Sequence, residues 1–350
     1  MGASLGGFKV SRHESRRSSR SFDESDVRIR PSRSVPRRSK DRPDYSELPI
    51  AFVTQVDRGR SLCLTDDGTL VTAMKARELG KNAVVVGDLV RLDGDISGDI
   101  GSLARIVEVR ERRNSLSRTI DDIGAMERAI VANVDLMLIV VAAASPEPRT
   151  GFIDRALVVA YDQGIRPILV ITKCDLADPT ALRDLYSPLS LEVMATKRGA
   201  DVSAFRERLV GKTSVLIGHS GVGKSTLLNA ILGHEARLTG DVNEVTGRGR
   251  HTSSNAVAFA LDEKIKEGGA KGWLIDTPGV RSFGLRHIDP NRVIGAFGEL
   301  QEVIARCPKN CSHDEASCAL NEWLAVNPQG ENRVTNLRRL LAIDATVSYE

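Results

Sequence analysis

The chain has 350 residues with 49 Lys and Arg against 46 Asp and Glu, a formal net charge of +3, and it is 41% hydrophobic and 27% charged. That is ordinary for a soluble globular protein and long enough for two or three buried cores. No apolar run approaches the ~20 residues of a membrane helix, and the first residues lack the apolar core of a secretory leader. The expected location is therefore cytoplasmic, with no membrane partner.

The charge is unevenly placed. Residues 1–46 hold twelve Lys and Arg against six Asp and Glu, or +6, which leaves −3 for the rest. This segment is rich in Ser and Arg, carries Pro31, Pro36 and Pro43, and has almost no large apolar side chains. It cannot bury enough surface to offset its ordering entropy, so it is expected to be a disordered tail. Its arginines can neutralise RNA phosphates; the alternative is a solvated tail without an essential partner. Glu14, Asp23, Glu24 and Asp26 argue against a transit peptide.

Residues 47–113 read as a small β-domain. Strands are predicted over Ile50–Val56, Ser61–Leu64, Thr69–Ala73, Asp88–Leu92 and Leu103–Val109, with hairpin signals at Asp67-Gly68 and Asp93-Gly94. Five short strands in about sixty residues suit an OB-type barrel. Such barrels often bind nucleic acid by stacking bases on aromatic rings. Phe52 is the lone aromatic here, so binding by shape and charge stays open.

Residues 114–285 read as an α/β domain entered through a linker over 114–126. Val134–Ala144 and Pro167–Thr172 are apolar runs typical of strands buried on both faces, and Phe152–Gln163 reads as the helix between them. Further strands are expected at Leu191–Ala195, Thr213–Ile217, Val257–Leu261 and Gly272–Ile275. The alternation predicts a parallel sheet covered by helices.

Three stretches of this domain carry chemistry. Thr172-Lys173-Cys174-Asp175 ends a predicted strand, the edge at which open α/β sheets bind ligands. The Asp175 carboxylate can accept from N1–H and the exocyclic amino group of guanine, whereas adenine would leave it unpaired. Lys173 can lay its stem along the base. Next, Gly218-His219-Ser220-Gly221-Val222-Gly223-Lys224-Ser225, followed by Thr226, fits the phosphate-loop pattern between strand and helix. Its glycines let the backbone curl round an anion, Lys224 reaches the terminal phosphates, and Ser225 can ligate Mg²⁺. Finally, Trp273-Leu274-Ile275-Asp276-Thr277-Pro278-Gly279 places Asp276 at the Mg²⁺ shell and the Gly279 N–H toward the γ-phosphate. The Gly- and Arg-rich segment 246–254 between the last two reads as a switch loop, with Thr252 a further Mg²⁺ ligand when the γ-phosphate is present.

Residues 286–350 contain Cys307-x₃-Cys311-x-His313-x₄-Cys318. Three thiols and one imidazole suit a tetrahedral Zn²⁺ with no open position, so the ion is expected to be structural. Predicted helices over Asn291–Arg306 and Asn332–Leu341 flank the cluster, giving a small helical domain pinned by metal.

The guanine motif precedes the phosphate loop, the reverse of the order in Ras-like GTPases, so the domain looks circularly permuted. With a barrel before it and a Cys/His cluster after it, the layout from about 49 to 320 resembles the RsgA (YjeQ) family of ribosome small-subunit-dependent GTPases. Gly-x-Ser-Gly-Val-Gly-Lys-Ser, Gly-x-Gly-x-His-Thr and Asp-Thr-Pro-Gly carry the match. The resemblance implies an OB-type barrel, a circularly permuted P-loop GTPase domain and a helical zinc domain. It implies GTP hydrolysis in late maturation of the 30S subunit, with 16S rRNA as a contact. It assigns catalysis to His251, alongside Lys224; the bottom-up counterpart is that Val280 after Gly279 cannot orient water.

The chain departs from the family at several points. Thr172 stands in place of the usual Asn, and the expected consequence is loss of a brace between loops and lower nucleotide affinity. Met194-Ala195 stands at the family's Ser-Ala element, where the Ala195 N–H can reach guanine O6. Because 276–279 leads almost directly into the zinc domain, GTP is expected to set that domain's pose. The competing readings are an RNA-binding assembly module with a mainly structural nucleotide and an ATP-using P-loop enzyme. Monomer is the default oligomeric state.

Overall fold

The computed structural model describes residues 44–80, 84–119, 127–233, 256–261, 272–277 and 288–343. The tail over 1–43, the switch loop with His251 and Thr252, and residues 278–287 with Gly279 lie outside the described residues. From Tyr45 onward the chain forms one compact unit.

Five strands build the barrel: β1 (Ile50–Asp57), β2 (Arg60–Thr65), β3 (Leu70–Lys75), β4 (Leu89–Gly94) and β5 (Ala104–Val109). Alternate residues point inward, so Ala51, Val53, Cys63, Val71, Ala73, Val90, Leu92, Ala104 and Ile106 form one core. The ladder runs β1-β2-β3-β5-β4, and β4 pairs back onto β1 to close it. Arg58 and Gly59, at φ +43° and +83°, make the β1–β2 hairpin turn, a signal not picked out in the sequence. Asp67-Gly68 does turn β2 into β3, with Gly68 N–H donating to Thr65 O at 3.0 Å. Asp93-Gly94 does not turn: Gly94 still pairs with Ala104 at the end of β4.

The segment read as a linker contains β6 (Ser115–Thr119), which pairs antiparallel with β7 (Glu127–Ala132). Leu116 and Val131 of this pair are buried in the main core. Apolar spacing was too short there to announce strands.

The α/β part follows as β8 (Leu136–Ala142), α1 (Thr150–Asp162), β9 (Arg166–Thr172), α2 (Thr180–Tyr186), β10 (Glu192–Ala195), α3 (Ser203–Leu209), β11 (Thr213–Ile217), α4 (Lys224–Leu232), β12 (Val257–Ala260) and β13 (Trp273–Asp276). β10, β9, β8, β11 and β13 are parallel, and β12 runs antiparallel beside β13. β8 explains the unbroken apolar run. Met137, Ile139 and Val141 face one core with α1, while Leu136, Leu138, Val140 and Ala142 face another with α3 and α4.

The barrel and the α/β sheet are one continuous eleven-stranded sheet, joined where β12 pairs with β1 at Gln55 and Val257. Phe52 stacks on Trp273 across this junction, with ring centroids 4.5 Å apart and planes 13° from parallel. The lone barrel aromatic is therefore committed to a contact within the chain and is not a base-stacking platform.

The C-terminal helices are α5 (Pro290–Gly295), α6 (Gly298–Ile304), α7 (Ala319–Val326) and α8 (Glu331–Leu341). Asp289 caps α5 by accepting from Asn291 N–H at 2.9 Å, and Pro290 occupies its first position. The single helix predicted over Asn291–Arg306 is broken between Gly295 and Gly298, where Phe297 turns inward and is buried. Phe297, Leu300, Val334, Leu337 and Leu340 share one core with Phe152, Ile153 and Leu157 of α1. Among the described residues no helix is long and apolar enough to cross a membrane.

Candidate nucleotide site and metal cluster

Strand order reverses between β8 and β11: β9 and β10 lie to one side, β13 and β12 to the other. At such a point the strand ends diverge and leave a crevice at the carboxyl edge. Residues 218–223 occupy it, between the end of β11 and the start of α4. Gly221 and Gly223 adopt φ of +80° and +94°. A Cβ on Gly218, at φ +152°, would collide with the Val140 carbonyl oxygen. Glycine is thus required for close approach as well as for curl.

Lys224 opens α4, is 9% exposed, and donates from Nζ to the carbonyl oxygens of Gly218 at 2.5 Å and His219 at 2.8 Å. Its ammonium is therefore held over the loop it must serve. Ser225 and Thr226 follow in the first turn, where unpaired helical N–H groups favour an anion. Val222 is buried beneath the loop, Ser220 is exposed, and the His219 ring packs against Phe152 of α1 at 4.6 Å.

The segment 172–175, read in the sequence as a guanine motif, sits at the end of β9, one strand beyond β8. Cys174 N–H donates to Thr196 O at 3.2 Å and Thr196 N–H to Ile171 O at 2.8 Å, which holds the 172–175 loop beside Ala195 at the end of β10. Lys173 takes a left-handed conformation at φ +55° and donates Nζ to the Ser145 carbonyl. Asp175 is exposed at the edge. Burial raises the Cys174 thiol pKa.

The two loops are tied together. The Thr172 hydroxyl, 5% exposed, is within donating reach of the Val222 carbonyl in the phosphate loop and of the Val141 carbonyl in β8 at 3.1 Å. The brace expected to be lost with the family's Asn is supplied by this hydroxyl instead.

Asp276 ends β13 beside Leu216, with 4% exposure. The next residue, Thr277, donates Oγ1 to Leu216 O at 2.7 Å and is 2% exposed. Thr277 was not singled out in the sequence, although its place in Asp-Thr-Pro-Gly was visible. An oxygen donor from Asp276 and one from Ser225 fit a hard cation such as Mg²⁺.

Cys307, Cys311, His313 and Cys318 come together with all ligand atoms within 4.8 Å of one another, a group that could hold a metal ion. Cys307 Sγ lies 3.7 Å from Cys318 Sγ and 3.6 Å from His313 Nδ1. His313 itself is left-handed at φ +69°, an uncommon conformation found where surroundings over-determine a residue. Arg338 of α8 holds the loop from outside, donating Nε to His313 O at 2.7 Å and Nη2 to Asn321 Oδ1 at 2.8 Å.

Comparison with known proteins agrees with this arrangement. Residues 109–286 match the family model described as RsgA GTPase. A protein of Ectopseudomonas mendocina named small ribosomal subunit biogenesis GTPase RsgA is 37% identical over 271 residues, covering 74% of this chain and 75% of its own. The protein of that name from Klebsiella pneumoniae is 36% identical over 282 residues, with 77% of each chain covered. Among solved structures, YjeQ from Thermotoga maritima superposes with a TM-score of 0.60 at 27% identity over 85% of this chain and 99% of its own. YloQ, a circularly permuted GTPase, shares the fold at a TM-score of 0.59. With a family model matched over residues 109–286 and relatives at 36–37% identity over three quarters of their length, this chain belongs to the RsgA GTPase family.

Proposed function

We propose that this protein hydrolyses GTP to GDP and phosphate during biogenesis of the small ribosomal subunit, binding the 30S particle and its 16S rRNA. The observation that carries the nucleotide assignment is the joining of the 172–175 and 218–225 loops through Thr172 at one sheet edge. Asp175 selects guanine through its N1–H and amino group, with the Ala195 N–H at O6 and Lys173 along the base. A site that hydrogen-bonds these groups rejects adenine far more strongly than an apolar pocket could. Gly218 to Thr226 cradle the phosphates, and Lys224 neutralises charge developing on the transferred group.

Ser225, Asp276 and Thr252 would hold Mg²⁺, which when bound neutralises charge between the β- and γ-phosphates. Gly279 donates its N–H to the γ-phosphate. His251 orients the attacking water, a role for which Val280 is unsuited. The Cys₃His group holds one structural Zn²⁺. Zn–S and Zn–N lengths of about 2.3 and 2.0 Å imply tetrahedral edges of about 3.8 and 3.5 Å, against the 3.7 and 3.6 Å found. The barrel over 47–113 and the metal domain over 286–350 flank the nucleotide domain and grip RNA and protein, and the protein acts as a cytoplasmic monomer.

The test is GTP and ATP turnover by the purified protein with 30S, with 50S and alone, beside His251→Ala. Isolated turnover should be on the order of 10⁻⁴ to 10⁻² s⁻¹, selective for GTP, raised by 30S and abolished in the variant. Equal turnover with either subunit or none overturns the partner.

A further inference from the structure

We propose that Arg339 of α8 is a positioning residue for the phosphate loop and acts through helix α1. The inference rests on the nucleotide reading of residues 218–226. Arg338 and Arg339 are neighbours that face different partners. The first grips the metal-cluster loop at His313 O and helix α7 at Asn321 Oδ1. The second donates Nη2 to Asp154 Oδ1 of α1 at 3.0 Å and places its guanidinium 5.3 Å from the centre of the Tyr186 ring. Tyr186 donates its hydroxyl to the same Asp154 oxygen at 2.9 Å, and lies 3.2 Å from the Thr150 carbonyl in the first turn of α1. Asp154 and Tyr186 are both buried.

Two residues before Asp154, about 200° round the helix, Phe152 packs its ring on His219 of the phosphate loop. Helix α1 is thus held at one turn from both sides, by α8 and by the loop that cradles phosphate. It is buried from Phe152 to Ala160, so a displacement on one side cannot be absorbed by solvent and close packing passes it on.

The chemistry of the pair argues for positioning over bulk stability. Among the described residues Arg339 Nε has no hydrogen-bond partner, so the guanidinium is incompletely satisfied. The Arg339 side chain is 32% exposed and that of Asp154 8%, so the pair adds little net stability, whereas removing the arginine leaves the buried Asp154 carboxylate without its cation. What the pair does supply is direction: one carboxylate oxygen fixes both α8 and Tyr186 against the first turns of α1.

The experiment is release of fluorescent GDP and GTP from the full-length metal-loaded protein, without ribosomes. Its variants are Arg339→Met, the apolar exchange D154L with R339M, and Lys224→Ala. Thermal melting identifies which are folded. Both Arg339 variants are expected to release either nucleotide about tenfold faster, the size of a typical coupling between sites, while still preferring guanine over adenine. A folded Arg339 variant that releases nucleotide at the wild-type rate overturns the proposal. If that occurs while Lys224→Ala loses affinity, only this inference fails. Wild-type binding by Lys224→Ala would overturn the phosphate-loop reading beneath it.

Discussion

Replacing Thr172 with valine keeps the volume and β-branching of the side chain and removes only its hydroxyl. In the wild type that hydroxyl has one proton for two buried carbonyls, Val222 in the phosphate loop and Val141 in β8. The net worth of such a hydrogen bond is about 0.5–1.5 kcal/mol, and an acceptor left buried and unpaired costs about 1–3 kcal/mol. The cost of holding Val222 and Gly223 in place should then be about 1–2 kcal/mol. Expressed in binding, at about 1.4 kcal/mol per tenfold, this weakens GDP and GTP alike by about five- to thirtyfold. Preference for guanine is untouched, because Asp175 is unchanged. Equilibrium titration with fluorescent GDP and GTP reads the effect, with Thr172→Ser as the control expected within about twofold of wild type. Equal affinity in the valine variant would show that the hydroxyl does not brace the loop.

Asp175→Asn should shift preference from guanine toward xanthine nucleotides; unaltered preference in a GTP/XTP competition would move base selection to another residue. Phe52→Ala removes the stack on Trp273 and should cost about 2 kcal/mol, since Phe52 is only partly buried, with a red shift of the Trp273 emission on a Trp323→Phe background. Stripping the metal with a chelator should lower the melting temperature and expose the thiols of Cys307, Cys311 and Cys318 to titration, because metal affinity here is folding energy. Burial raises the Asp154 carboxyl above its ordinary 3.8, against the opposing pull of Arg339 and the Tyr186 hydrogen bond. The folded state therefore holds this proton more tightly than the unfolded one. Its contribution is present in full below about pH 3.8 and is lost as pH rises through the folded value. Urea titrations across the acid range should show wild-type stability falling relative to the D154L and R339M double variant as pH rises through that window; parallel curves would contradict it.

Much of the site was legible without coordinates, because each part is a local pattern tied to one backbone geometry. Gly218, Gly221 and Gly223 at their spacing demand a loop that only glycine can form, and Cys307 to Cys318 carry ligands whose chemistry is written in their side chains. The apolar runs of β8 and β9 announced a sheet buried on both faces for the same reason. The order of the guanine and phosphate motifs, a matter of chain position alone, announced the permutation.

Other features depend on pairs that sequence distance conceals. Thr172 reads as a weakened guanine motif until β8, β9 and β11 lie side by side and its hydroxyl meets Val222, fifty residues on. Phe52 reads as a lone ring too few for base stacking, and its partner is hidden until β12 pairs with β1 and brings Trp273 against it. Asp154 and Arg339 carry no pairing signal in the sequence; they are 185 residues apart and meet where α1 and α8 pack beside a shared core. Local stereochemistry is carried by neighbouring residues, and so the sequence by itself determined the loops, the ligand set and the class of nucleotide. Which half-buried side chain satisfies which depends on how the sheet and helices close on one another, and that was decided only by the tertiary structure.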